Sequence, residues 1–386
     1  MKKNHIIILL VLFLYSCSPD YKAQPNIQSE KKLRKTSLLE KRLPVNDLTL
    51  DYLYKTFIYE DSKDTYLFSL NDQEFGLDVF DLKKSNFKNH IKLFLNGSES
   101  VGEVYDYYVH NLDSIFLIGP YQVSLINYEG VLLKKMKINI SEATDKHIYS
   151  SGSLGEHRIF YFEENLYSRL SYQINREEKG YYMGPIEVKI SLNTEANQAV
   201  DIYYSSLYQD GTDYFGFLSY PNCTFFKGKL IYNFPAEPNV YVYNLNNKEQ
   251  SIYGGKSKYF NTPVAQSLLR SEFDGSRLLE HWVKNPAYLE IIPDKYKNLY
   301  YRIQAHPISY LNIENEPNTW LDKEFSLTIF DQKFQIIDEI KLDNRIYYPK
   351  EAFVTSEGIW ISKETSNNVN NEEGVIEYDV FSFDVQ

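Results

Sequence analysis

Positive charge is in short supply. Lysine and arginine number 41 against 52 aspartates and glutamates, giving a net charge of −11 over 386 residues. Without Lys2 and Lys3, which fall in a segment expected to be cleaved, the balance is 39 − 52 = −13. Such a chain lacks the clustered cations that grip phosphate backbones, so no nucleic-acid partner is expected. Cysteine is scarcer: Cys17 and Cys223 stand alone and cannot build a disulfide framework. Helical periodicity is missing too. No stretch carries a 3.6-residue apolar stripe longer than two turns, the best being Val264 to Leu269. The chain has no HExxH, no GxSxG elbow, no P-loop and no GxGxxG. What remains, 43% hydrophobic and 24% charged, is an ordinary globular composition rather than a disordered one.

The first seventeen residues read MKKNHIIILLVLFLYSC. Lys2 and Lys3 make a charged start, and Ile6 to Leu14 is an unbroken apolar run of nine. A helix needs about 20 residues to cross a bilayer, so this run suits the core of a secretory signal instead. Leu14-Tyr15-Ser16-Cys17 resembles a bacterial lipobox, with Tyr15 bulkier than usual. The resemblance implies that residues 1–16 are a lipoprotein signal peptide and that Cys17 is lipidated. Its acyl chains would then hold the protein to a membrane, at about 0.8 kcal/mol per buried methylene. Residues 18–36 are polar, contain two prolines and have no apolar period, so residues 17–36 are expected to be the lipidated Cys and a flexible tether. Ser18, rather than Asp, follows the Cys, which by resemblance to Gram-negative lipoproteins points to the outer membrane.

From residue 37 to 386 one theme repeats. Short runs rich in Tyr, Phe, Ile and Val alternate at period two between Asn, Asp, Gly and Lys clusters, which predicts an all-β domain. Several strands end in an apolar pair followed by Asp or Asn: Val79-Phe80-Asp81, Leu125-Ile126-Asn127, Val242-Tyr243-Asn244, Ile329-Phe330-Asp331 and Ser382-Phe383-Asp384. Lys189-Ile190-Ser191 is a weaker copy. Asp and Asn suit that place because their short side chains bond the turn backbone and tolerate left-handed φ. Upstream of each lies another apolar strand, namely Tyr66 to Phe68, Ile115 to Leu117, Ile159 to Phe162, Leu230 to Tyr232, Leu299 to Tyr301 and Ile359 to Ile361. Six such units predict a six-bladed β-propeller of four-stranded blades, with a β-sandwich as the alternative. The last unit ends at its third strand. Ser37 to Leu43 is apolar enough to supply the fourth and close the ring.

The lipobox, a mature length of 386 − 16 = 370 residues, Tyr-rich strands and six blade-like units together resemble the TolB-like six-bladed propeller lipoproteins of Gram-negative bacteria. Among these they are most similar to an uncharacterised domain-of-unknown-function group. The resemblance implies a fold and a compartment; it carries no activity. The Ser-x-Asp-x-Gly box of sialidase propellers, a WD dipeptide per blade and the repeated Gly-Gly of kelch blades are absent, Gly254-Gly255 being a lone pair.

Candidate chemistry is sparse. His90, His110, His147, His157, His281 and His306 show no metal-ligand spacing, and neither a metal nor a cofactor is expected. Asp210-Gly211-Thr212-Asp213 has part of a calcium loop but lacks the first Asp and the distal Glu. Cys223 reads as a buried structural thiol. The best cluster is Tyr300 to Pro307. If Leu299 to Ile303 is an inner-half strand, Tyr301, Arg302 and His306 become candidate ligand-binding residues near the axial opening. With no catalytic set evident, the expected function is a non-enzymatic, lipid-anchored binding propeller for a protein, peptide or glycan. A hydrolase or lyase acting on glycans or lactones, with acid and base converging on the axis, is the alternative.

Overall fold

The apolar-pair signature marks the end of the third strand in each of six β-sheets. In a computed structural model these sheets form the blades of a six-bladed β-propeller. The structure describes residues 23–46, 49, 53–138, 146–148, 158–172, 174–175, 178–194, 196–209, 213–269, 274–343, 345–363 and 374–386. Cys17 and the Asp210 to Thr212 loop therefore lie outside the described residues.

From the axis outward, the first blade holds Phe57–Glu60, Thr65–Asn71, Gly76–Asp81 and Asn86–Lys92. The second holds Asp106–Asn111, Ser114–Ile118, Gln122–Ile126 and Leu132–Lys137. In the third, Lys146–Ile148 and Phe160–Phe162 share the innermost place, followed by Asn165–Tyr172, Pro185–Ser191 and Asn197–Tyr203. The fourth comprises Asn222–Phe226, Lys229–Asn233, Val240–Asn244 and Gln250–Tyr253. The fifth comprises Ala287–Asp294, Leu299–Ala305, Phe325–Phe330 and Ile336–Lys341. The sixth runs Tyr347–Thr355, Gly358–Lys363 and Val375–Val385, and its outer strand is the N-terminal Leu33–Pro44.

The physics of the repeat is visible in its turns. Asp81 Oδ1 accepts from Lys84 N at 3.1 Å, Asn127 Oδ1 from Val131 N at 2.9 Å, and Asn244 Oδ1 from Asn246 N at 2.9 Å. Asp331 Oδ1 accepts from both Lys333 N (2.9 Å) and Gln335 N (3.0 Å). Each short polar side chain satisfies turn amides that the outer strand does not reach.

Closure by the N-terminal strand is as expected. It pairs antiparallel with the third strand of the sixth blade, from Leu33 opposite Val385 to Pro44 opposite Val375. Leu43 is fully buried with Trp360, Tyr378 and Ile376, in a cluster that also holds Leu67 and Phe80 of the first blade. A line of polar groups crosses the same blade: Glu40 to Lys363 at 2.5 Å, Lys363 to Asp379 at 3.0 Å, and Tyr347 Oη to Asp379 at 2.6 Å.

The segment expected to be free tether through residue 36 is instead bonded to the propeller from residue 24 onward. Gln24 N donates to Asn239 Oδ1 at 2.8 Å, and Asn26 exchanges two hydrogen bonds with the backbone of Lys256 (2.7 and 2.8 Å). Ser29 N and Ile336 N then bond across to Ile336 O and Ile27 O, both at 2.8 Å. This segment has no apolar period because it is held by its backbone and a few amides, not by a buried face. It straps the rims of the fourth and fifth blades before entering the sixth.

Among the described strands, the long connections 93–105, 173–184, 204–221, 254–286 and 306–324 join at one end of the propeller, where the innermost strands begin. The turns between described strands at the opposite end are short. The 254–286 connection carries the helix Gly275–Lys284, capped by Asp274 Oδ1, which accepts from Ser276 N (2.8 Å) and Arg277 N (3.1 Å). Its last carbonyls accept from Lys323 Nζ: Trp282 O at 2.8 Å, Val283 O at 3.0 Å and Asn285 O at 2.8 Å. Burial pulls this ammonium's pKa down, while three carbonyls at the negative pole of the helix hold the proton.

Candidate functional site: an axial cavity and a rim groove

Six inner strands starting at the same end each bring at least one large apolar residue to the axis. Phe57, Tyr108, Phe160, Phe225, Ile292 and Phe353, joined by Ile58 and Val354, line a cavity of about 360 Å³. Phe57 and Tyr108 meet edge to face with centroids 5.2 Å apart, and Phe160 stacks on Phe225 at 5.4 Å. A cavity of that size lies within the range of small-ligand pockets.

Polar groups enter from the long-connection end. Arg158 and Asp106 form a forked pair, Nε and Nη2 lying 3.0 and 2.9 Å from Oδ1, while Arg158 Nη1 donates to Thr56 O at 2.7 Å. Asp106 also accepts from Ile159 N and Tyr107 N, both at 2.8 Å, which pins the start of the third blade to the second. Lys55, held at a left-handed φ of 51°, donates to Tyr105 O and accepts from Tyr107 Oη at its own carbonyl (2.7 Å). Burial raises the Tyr107 phenol well above its usual range. These cations brace the wall. Glu290 is the carboxylate among the described lining residues, and no histidine is among them. None of Lys55, Tyr108, Arg158 or Glu290 stands in a motif, and only their common position reveals them.

The sequence-predicted cluster sits elsewhere. Leu299–Ala305 is the second strand of its blade, because Ala287–Asp294 takes the inner place. Tyr301 and Arg302 are consequently buried in packing rather than aimed at the axial opening. Tyr301 Oη donates to Asp294 Oδ2 at 3.0 Å. Arg302 donates to Pro238 O (2.8 Å), Asn233 Oδ1 (3.2 Å) and Gly255 O, with its guanidinium 4.6 Å from the Tyr288 ring centroid. It links the fifth blade to the fourth.

His306 does reach a surface. It lines a second cavity, a groove of about 460 Å³ at the long-connection end, with Tyr259, Gln266, Lys284, Glu324 and Lys341. Its Nε2 lies 2.9 Å from Ser326 Oγ, and Ser326 Oγ donates to Glu339 Oε1 at 2.6 Å. Its Nδ1 faces Glu324 Oε2 at 3.7 Å. Burial first, then the Lys341 and Lys323 charges, push the imidazole pKa down to about 4 against the opposing pull of Glu324. It is neutral at pH 7.

Cys223 is buried, and that burial pushes its thiol well above the usual range, as suits a structural residue. Among the described residues no three His, Cys, Asp or Glu side chains gather to hold a metal ion. No helix among them is long and apolar enough to cross a membrane.

Comparison with known proteins agrees with this architecture. The sequence matches the family described as a domain of unknown function, DUF4221, over residues 40–341, and the chain belongs to that family. The crystal structure of a DUF4221 member from Bacteroides vulgatus superposes with a TM-score of 0.79 at 22% identity, covering 92% of this chain and 99% of that one. A protein from Bacteroides fragilis superposes with a TM-score of 0.52 at 13% identity, covering 91% and 95%. At those identities the likeness is one of fold. No curated protein matches the sequence.

Proposed function

We propose that this DUF4221 member is a lipid-anchored envelope protein of the TolB-like kind. Its propeller binds a protein or peptide partner, which inserts an apolar group into the axial cavity. The observation that carries this reading is the ring of large apolar residues, contributed by all six blades, around a space of about 360 Å³. An apolar group entering it gains about 25 cal/mol per Å² removed from water. The long connections at one end supply the adaptable surface on which such propellers can vary their contacts.

Filling the cavity tests the reading. Thr224, on the inner strand of the fourth blade, lines it. The Thr224→Trp chain should stay folded yet lose the partners that the parent captures from detergent-solubilised membranes. Capture of the same partners by both chains would place the binding surface elsewhere.

The anchor supports an outer-membrane address and makes a separate prediction. Gln24, the first described residue bonded to the rim, lies seven residues beyond Cys17, at most about 25 Å of extended chain. Such a leash keeps the rim of the fourth blade close to the bilayer. Cys17→Ala should release the protein from membranes, or leave the signal uncleaved. An acyl-labelled, membrane-bound Cys17→Ala chain would refute lipidation at that residue.

A further inference from the structure

We propose that the groove beside His306 is a saccharide-binding site, distinct from the axial cavity, with which it shares no lining residue. One proton sets the chemistry of this groove. Glu339 accepts from Ser326 Oγ (2.6 Å), Ser257 Oγ (2.7 Å) and Lys258 N (2.7 Å), so the Ser326 hydroxyl has spent its hydrogen on that carboxylate. Toward His306 it can only accept. The imidazole proton is thereby assigned to Nε2, and Nδ1 presents a lone pair to the groove.

Across from that lone pair stands another acceptor, Glu324 Oε2, 3.7 Å away. Two acceptors face each other with no proton between them. Beside them Lys341 Nζ, 3.0 Å from the same Oε2, is a donor with hydrogens to spare. A group that both gives and takes a hydrogen bond completes this set. A hydroxyl does so, donating to Nδ1 or to Glu324 and accepting from Lys341. Lys, by contrast, only donates and a carboxylate only accepts.

The remaining lining extends the pattern from one hydroxyl to several. Asn261, Thr262 and Gln266 offer amides and a hydroxyl of both characters. Both lysines of the lining are paired, Lys341 with Glu324 inside it and Lys284 with Glu280 just beyond it on its own helix, each at 3.0 Å, so neither is left to select an anion. Val264, Pro286 and Pro307 give apolar walls for the C–H faces of a ring. Many hydroxyls, no net charge and apolar ring faces together describe a neutral sugar.

The test uses the full chain and a panel of neutral methyl glycosides (glucose, galactose, mannose and N-acetylglucosamine, with their disaccharides), read by saturation-transfer NMR. At least one glycoside should give a saturable signal. Glu324→Gln puts an amide donor opposite Nδ1 and blocks the lone pair, and Lys341→Met removes the donor. Both side chains are about half exposed, so neither change threatens the fold. Each should weaken binding about tenfold, the loss expected of one hydrogen bond to a charged group. Thr224→Trp should leave it unchanged. No saturable glycoside, or equal binding by the parent and both variants, overturns the site. Loss confined to Thr224→Trp assigns the sugar to the axial cavity instead.

Discussion

A chain that begins at residue 45 is expected to lose its cooperative thermal transition. Truncation removes the outer strand of the sixth blade, Leu33–Pro44, and exposes the edge of Val375–Val385 along its whole length. Each ladder hydrogen bond contributes about 0.5–1.5 kcal/mol net, and the fully buried Leu43 about 1.5–3 kcal/mol. Lys363 and Asp379 also lose Glu40, the outermost member of their line. Against a typical total of about 5–15 kcal/mol the sum is ruinous, and the bared edge invites aggregation. A graded series isolates the cause. Chains starting at residue 24 should melt as the parent does. Those starting at 33 should melt a few degrees lower, having lost the bonds of Gln24, Asn26 and Ser29 to the rim. If the chain starting at 45 unfolds cooperatively at the parent temperature, strand closure is not what holds this ring.

The two outcomes on the N-terminal segment show what sequence pattern can and cannot reveal. Leu38, Leu39 and Leu43 announced a strand because alternation and apolar content are local properties. Residues 24–32 looked like free tether because backbone bonds to Lys256 and Ile336, more than two hundred residues away, leave no mark on composition. The blades divide in the same way. Third strands were legible from the apolar pair with Asp or Asn, whose side chains close the turn. Five of the six upstream strands are second strands; Ile159 to Phe162 instead begins the third blade at the axis. Innermost strands such as Asp106–Asn111 and Ala287–Asp294 carry no repeat of the apolar pair, because the residues they turn to the axis differ from blade to blade. Leu299–Ala305 does lie in the inner half of its blade, but as the second strand, where Arg302 packs against the fourth blade instead of facing the opening. His306 stands where the long connection 306–324 begins, and so reaches the rim groove and not the axis.

Replacing Arg302 by Met is expected to cost about 3–5 kcal/mol, the range seen when one partner of a buried polar network is removed. The side chain is wholly buried on the second strand of the fifth blade. It reaches into the fourth blade to satisfy Pro238 O, Gly255 O and Asn233 Oδ1 at once. Methionine keeps much of the volume between the Tyr288 and Phe330 rings, so the loss is mainly polar. Two main-chain carbonyls are left in a dry interface, each costing about 1–3 kcal/mol. Arg302→Lys should recover part of this, since one ammonium carries three donors but not the spread of a guanidinium fork. Urea midpoints should therefore rank parent, Lys, Met in falling order. Gly255 explains why the interface has no slack: a Cβ there would stand 2.6 Å from Arg302 Nη2 and 2.7 Å from Nη1. Gly255→Ala is thus expected to weaken the parent and to be milder, though still costly, in the Arg302→Met background, where the nitrogens are gone but Pro238 O remains 2.8 Å from that Cβ. Should Arg302→Met keep the parent midpoint while partner capture from membranes disappears, Arg302 is a binding residue after all, and the inter-blade clamp is the wrong account of it.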